Sequence, residues 1–234
     1  MDLTLKIRKF NPEEDEKPHW RTFKITADPV WKILDCLMHI KNEHDGTLTF
    51  RKSCAHGICG SDAMKINGKA ALACQKLVKD YRTRKFVIEP LPGFPVIKDL
   101  VVDFDCFFEK LRKIRPWFIN DEKPPADSER IQSIEQSEKI LDAVKCIFCG
   151  SCASSCPTAW VNADYLGPAA LLKAYRFIAD SRDRGAEERL RIVNDNDGAW
   201  RCHTIFNCVE ACPKDINVTD HIARLRREIF NRKL

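Results

Sequence analysis

The sequence predicts an α+β protein with a strand-rich N-terminal half and a helical C-terminal half. Three observations carry this. Residues 2 to 10 and 20 to 26 alternate apolar and polar positions, the period of a half-buried strand. From Gly167 onward apolar residues recur at helical spacing, as in Leu171, Leu172, Tyr175 and Ile178. Between them stands the run Cys146 to Pro157, C-I-F-C-G-S-C-A-S-S-C-P, and a second cysteine group downstream ends in the same Cys-Pro.

The elements follow in order. Leu3, Leu5, Ile7 and Phe10 mark a first strand, and Trp20 to Thr26 pairs with it as a hairpin across a polar, proline-bearing loop. Asp28-Pro29 reads as an N-cap with proline at the first helical position, opening a helix through Val30, Leu34, Leu37 and Ile40, with Cys36 a buried thiol. Thr47 to Phe50 reads as a short strand. Asn67-Gly68, between Met64–Ile66 and Ala70–Leu72, is a tight hairpin turn, and Phe86 to Pro90 is a further strand. From Asp99 the period changes, placing Leu100, Phe104, Phe107, Phe108, Leu111 and Ile114 on one helical face that ends at Pro116, with Cys106 in its core. Ser128 to Val144 is helical in composition. Gly167-Pro168 opens another helix, Ala186 to Val193 forms the next, and Val218, Ile222, Leu225 and Ile229 the last, capped by Thr219. The expected domains are 1–105 and 106–234.

A chain of 234 residues suffices for two domains, and 44% hydrophobic with 31% charged residues suits a globular protein. No run of about 18 apolar residues is present, which excludes a membrane-spanning helix, and Met1-Asp2-Leu3-Thr4 lacks the features of a signal peptide. Twelve cysteines without an export signal point to a reducing compartment and to metal. The net charge of +5 includes basic clusters at 82–85, 110–115 and 224–227, but no aromatic residues interleave with them. Solvated helix faces, aided by an acidic partner or anionic lipid, suit these clusters better than a nucleic-acid platform.

The spacing C-x2-C-x2-C-x3-C-P is that by which bacterial ferredoxins hold iron–sulfur clusters, the fourth cysteine serving the other cluster of a pair. Aligned on the first run, Cys202 matches Cys146, Cys208 matches Cys152, Cys212 matches Cys156, and Ile205 stands at the place of Cys149. One site then keeps Cys146, Cys149, Cys152 and the crossing Cys212, which suits a [4Fe–4S] cluster. The other keeps Cys202, Cys208 and the crossing Cys156. Isoleucine has no lone pair for a fourth iron, so three thiolates suit a [3Fe–4S] cluster. Zinc prefers two well-separated pairs, and disulfides at such spacing would be strained.

The N-terminal half carries its own motif, Cys54-A-H-G-I-Cys59-G-S-Asp62, with Cys74 downstream. Plant-type [2Fe–2S] ferredoxins space their ligands C-x4-C-x2-C…C. Cys54, Cys59 and Cys74 match, and Asp62 takes the third place. A carboxylate is a fitting ligand for ferric iron; the alternative is a turn-capping aspartate with the ligand supplied by Cys36 or Cys106. A Rieske site would need a second Cys-x2-His, which is absent, so His56 reads as a loop residue.

With C-A-H-G-I-C-G-S-D, L-P-G-F-P-V-I-K-D-L-V-V-D, C-I-F-C-G-S-C-A-S-S-C-P, G-P-A-A-L-L-K-A-Y-R-F-I-A-D-S-R-D and R-C-H-T-I-F-N-C-V-E-A-C-P-K in this order, the chain resembles the iron–sulfur subunit of succinate dehydrogenase and fumarate reductase over nearly its whole length. The resemblance implies a plant-ferredoxin-like β-grasp domain followed by an all-helical bacterial-ferredoxin-like domain. It also implies a wire. A separate flavoprotein subunit oxidises succinate at FAD, and electrons pass through [2Fe–2S], [4Fe–4S] and [3Fe–4S] to a quinone beside a membrane-anchor subunit that can carry haem. The chain would sit peripherally on the cytoplasmic face of a bacterial or archaeal membrane, or on the matrix face of the inner membrane if mitochondrial. The family's quinone site maps onto Pro157, Thr158, Trp160, His203 and Ile205. Many relatives have two consecutive tryptophans, whereas here Val161 follows Trp160; Trp160 is either the quinone's donor or a packing residue, and His203 either a proton donor or a surface histidine. A quinol:fumarate reductase subunit and a soluble three-cluster ferredoxin are the competing readings.

Overall fold

A computed structural model describes residues 1–232 and divides the chain into two units. The first comprises Met1–Phe104 with Ile147–Ser155, the second Asp105–Cys146 with Cys156 onward. The last two positions of the expected 106–234 segment lie outside the described residues.

The first unit is a mixed sheet clasped around one helix. Strands β1 (Asp2–Lys9) and β2 (His19–Thr26) form the expected antiparallel hairpin. Helix α1 (Ile33–Glu43) follows, then β3 (Ala63–Ile66), β4 (Lys69–Leu72) and β5 (Lys85–Glu89), in the sheet order β2-β1-β5-β3-β4 with β1 and β5 parallel. Strand alternation buries Leu3, Leu5 and Ile7 with Phe23, Ile25, Phe86 and Ile88 against Ile33, Leu37 and Ile40 of α1. The same phase turns Lys9 inward, where its ammonium pairs with Asp99 at 2.9 Å and Asp45 at 3.2 Å. A buried cation is tolerated only with such partners. Asn67 and Gly68 both adopt positive φ, as a two-residue hairpin turn requires.

Three expectations in this half are corrected. Helix α1 begins at Ile33 rather than at Pro29, because Lys32 is held extended by a bridge to Leu77 and its N–H donates to Asp35, while Asp28 closes a separate turn onto Val30. Thr47 to Phe50 is no strand, since Thr49 donates to Asp99 instead of a sheet neighbour. Residues 96–102 form a small hairpin of β6 (Val96–Lys98) and β7 (Val101–Val102), turning through Asp99 at φ 48°, so the following helix opens only at Asp105.

The second unit is helical. It comprises α2 (Asp105–Lys113) and α3 (Ile134–Val144), then, after the short α4 (Ser151–Ser154) of the first unit, α5 (Pro157–Val161), α6 (Gly167–Ile178), α7 (Ala186–Val193), α8 (Asn207–Glu210) and α9 (Val218–Asn231). Helix α6 is buried nearly all round and packs on α2, α3, α7 and α9, as a core helix apolar on most faces must. Cys106 is exposed on α2 rather than buried. The cap of α9 is Asn217, whose side chain accepts from the Asp220 N–H, so Thr219 is released for another role.

Arg189 is wholly buried and organises this unit. Its guanidinium donates to the carbonyls of Ile114, Arg115 and Trp117 and pairs with Asp183 at 2.6 Å. Asp183 also accepts from the Ile119 and Gly185 N–H groups. One ion pair thereby satisfies the irregular backbone from 114 to 119. Among the described residues no helix is long and apolar enough to cross a membrane.

Candidate iron–sulfur sites

The loop after residue 50 is built for sulfur. Ala55, Gly57 and Gly60 adopt positive φ and turn successive N–H groups inward. The Cys54 sulfur accepts from the Ile58 N–H at 3.4 Å and the Cys59 N–H at 3.3 Å. Backbone N–H groups of His56, Cys59 and Ile58 lower its pKa to about 6, so the thiolate required of a metal ligand is favoured. At Gly60 a Cβ would stand 2.8 Å from the Cys149 Cβ and 3.0 Å from the Ile147 carbonyl, so only glycine lets the loop pass.

Asp62 and Cys74 are both buried on the inner side of this loop. Asp62 Oδ2 accepts from the Cys74 N–H at 2.6 Å, while Oδ1 is buried without a hydrogen-bond partner. Burial, and then the adjacent Asp62 carboxylate, push the Cys74 thiol up to about 12. A buried carboxylate beside a buried thiol, with one orphaned oxygen, is a pair in want of a cation. The donor set of Cys54, Cys59, Cys74 and Asp62 therefore fits a [2Fe–2S] cluster. His56 is exposed, and Cys36, pushed up to about 12 chiefly by burial within α1, packs as an inert thiol.

The two cysteine runs share one backbone. Phe148 (φ 56°) and Gly150 (φ 78°) follow Cys146 as Thr204 (φ 57°) and Phe206 (φ 68°) follow Cys202. In each, the second left-handed residue caps a four-residue helix, α4 or α8. The Ser154 N–H donates to the Gly150 carbonyl as the Glu210 N–H does to that of Phe206. The chain thus turns the same way around both sites, although a glycine occupies the strained position in one and phenylalanine in the other. Cys149 and Cys152 belong to the first unit, Cys146 and Cys212 to the second.

Within the second unit a small open cleft joins Cys156, Cys202 and Cys208 to Pro157, Thr158, His203 and Ile205. Thr158 is buried, while His203 and Ile205 are exposed at the mouth. Trp160 does not line the cleft and is 54% exposed on α5. Behind the cysteines stand two hydroxyl residues without sequence-local motif, Tyr165 and Thr219. Burial, with the Cys202, Cys156 and Cys208 sulfurs around it, raises the Tyr165 phenol far above its ordinary value, so it stays protonated and its hydrogen bond to Cys202 is donated. Lys173, also missed, is buried on α6, and its ammonium donates to the Ala143 carbonyl at the end of α3, the helix that leads to Cys146.

Among the described residues no three His, Cys, Asp or Glu side chains converge as a single ion requires. A cluster, which interposes iron and sulfide between its ligands, asks for no such convergence.

Comparison with known proteins agrees with this chemistry. The 2Fe-2S iron–sulfur cluster binding domain matches residues 4–109 and the 4Fe-4S dicluster domain residues 138–213. The chain is 43% identical over 231 residues to the succinate dehydrogenase iron–sulfur subunit of Coxiella burnetii, covering 97% of both chains. It is 40% identical over 229 residues to the mitochondrial succinate dehydrogenase [ubiquinone] iron–sulfur subunit of Candida glabrata, covering 97% of this chain and 90% of that one. A chain of the Mycobacterium smegmatis Sdh1 complex in the apo form has the same fold, with a TM-score of 0.86 at 23% identity over 99% of this chain and 97% of that one.

Proposed function

The chain belongs to the family of succinate dehydrogenase iron–sulfur subunits, and we propose that it conducts electrons from a FAD-bearing flavoprotein subunit to a quinone at a membrane-anchor subunit. Bound clusters supply one-electron chemistry, in the order [2Fe–2S], [4Fe–4S], [3Fe–4S]. The chain's residues hold them. Cys54, Cys59, Asp62 and Cys74 ligate the first, Cys146, Cys149, Cys152 and Cys212 the second, and Cys156, Cys202 and Cys208 the third.

The observation that carries this reading is the open cleft, where three cysteines share one wall with Thr158, His203 and Ile205. A quinone entering there meets apolar surface from Pro157 and Ile205 and polar groups from Thr158 and His203. Trp160, exposed beside the cleft rather than in it, suits contact with the anchor subunit better than hydrogen bonding to the quinone. Attachment is peripheral, with the anchor supplying the span, on the cytoplasmic or matrix face. Along the sequence, residues 1–105 carry the [2Fe–2S] ligands and 106–234 those of the other clusters, although residues 147–155 of the latter segment belong to the first compact unit.

The test is isolation of the native complex in mild detergent. A flavoprotein and a hydrophobic subunit are expected to co-purify, with succinate:quinone reductase activity and three distinct cluster signals by electron paramagnetic resonance (EPR). A chain recovered alone from the soluble fraction, without quinone reductase activity, would instead be a separate ferredoxin.

Asp62 offers a sharper check. Asp62→Ala is expected to lose most of the [2Fe–2S] signal, because no other group replaces the buried carboxylate, whereas Asp62→Cys retains it. Unchanged iron content and signal in Asp62→Ala would remove Asp62 from the ligand set.

A further inference from the structure

Thr219 lies in the first turn of α9 but does not cap it, since Asn217 does. Its side chain is buried, and its hydroxyl stands 3.4 Å from the Cys208 sulfur. Both line the cleft described above. A thiolate bound to iron carries no proton, so in that state the hydroxyl is the donor.

We propose that Thr219 is a positioning residue that sets the reduction potential of the cluster held by Cys156, Cys202 and Cys208. The inference rests on the assignment of Cys208 as a ligand made above. A hydrogen bond to a ligand sulfur stabilises negative charge there, and the reduced cluster carries one more negative charge than the oxidised one. The hydroxyl therefore favours reduction, drawing electrons toward the end of the chain that faces the quinone. Thr219 follows Cys208 by eleven residues and reaches its sulfur because α9 packs on α8.

The experiment is an EPR-monitored redox titration of the purified complex carrying Thr219→Val, nearly isosteric but without the hydroxyl, and Thr219→Ser, which restores it. Thr219→Val is expected to lower the equilibrium constant for reduction of the three-iron cluster about tenfold, a fall of ~59 mV, with the [2Fe–2S] potential unmoved. Thr219→Ser is expected to recover most of the shift. An unchanged three-iron potential in Thr219→Val, or an equal shift at [2Fe–2S], would overturn the proposal. If Thr219→Val fails to assemble the cluster, retention in Thr219→Ser still assigns the hydroxyl to Cys208, and loss in both variants reduces Thr219 to packing. Absence of any three-iron signal in the wild type would instead break the assignment of Cys208 itself.

Discussion

Ile205→Cys is expected to abolish the three-iron EPR signal of the oxidised complex and to add a second reduced-state [4Fe–4S] signal. The substitution restores the C-x2-C-x2-C spacing from 202 to 208, with Cys156 crossing over. Position 205 is already exposed on the cleft that the three cysteines line, and the loop around it has the backbone of the four-thiolate run. A fourth thiolate adds negative charge, and charge and cluster type set the potential. A fall of roughly 180 mV corresponds to about a thousandfold loss in the equilibrium constant for one electron, at ~59 mV per decade. Quinone reduction should slow severely, while succinate oxidation with an artificial acceptor at the flavin persists. Retention of the three-iron signal in Ile205→Cys would show that residue 205 does not face the open corner.

The second large effect is on stability. Arg189→Met removes a buried guanidinium and leaves Asp183 charged within the helical unit, together with the carbonyls of Ile114, Arg115 and Trp117 stripped of their donor. Breaking a buried pair from one side costs about 3–5 kcal/mol. For a unit of this size that lowers the melting temperature by roughly 10–20 °C. Because Arg189 touches none of the cysteines, the [2Fe–2S] signal should survive at low temperature. A melting temperature within a degree or two of wild type would show that the pair is dispensable.

The strands and the core helices were legible because their signals are local: the alternation of Leu3, Leu5 and Ile7 and the apolar run of α6 need no distant partner. The repeated cysteine loops were legible for the same reason, since the two runs share one spacing and take the same backbone path. What sequence could not show depends on contacts between residues far apart in the chain. Leu77, reached from far along the chain, decides where α1 begins, and Lys9, with the Phe10 and Thr49 N–H groups, holds Asp99 in a turn where periodicity predicts helix. Thr219 reads as a cap because its residue type suits one, but so does that of Asn217 two residues earlier, and only packing separates their roles. Arg189 is one arginine among many in the sequence, and its burial is written in no motif.

The matched loops after Cys146 and Cys202 separate what fixes a turn from what decorates it. Phe206 holds a left-handed conformation that costs an ordinary residue about 1–2 kcal/mol relative to the glycine at the matching position, Gly150. Phe206 has none of glycine's freedom, yet the turn around it matches that around Gly150 while the side chains differ. The path of the backbone there is thus set by what surrounds it, and the side chains upon it are free to differ. Backbone path and side-chain identity are therefore separable here, so that a substitution at position 205 can add a donor to the loop without redrawing the turn that carries it.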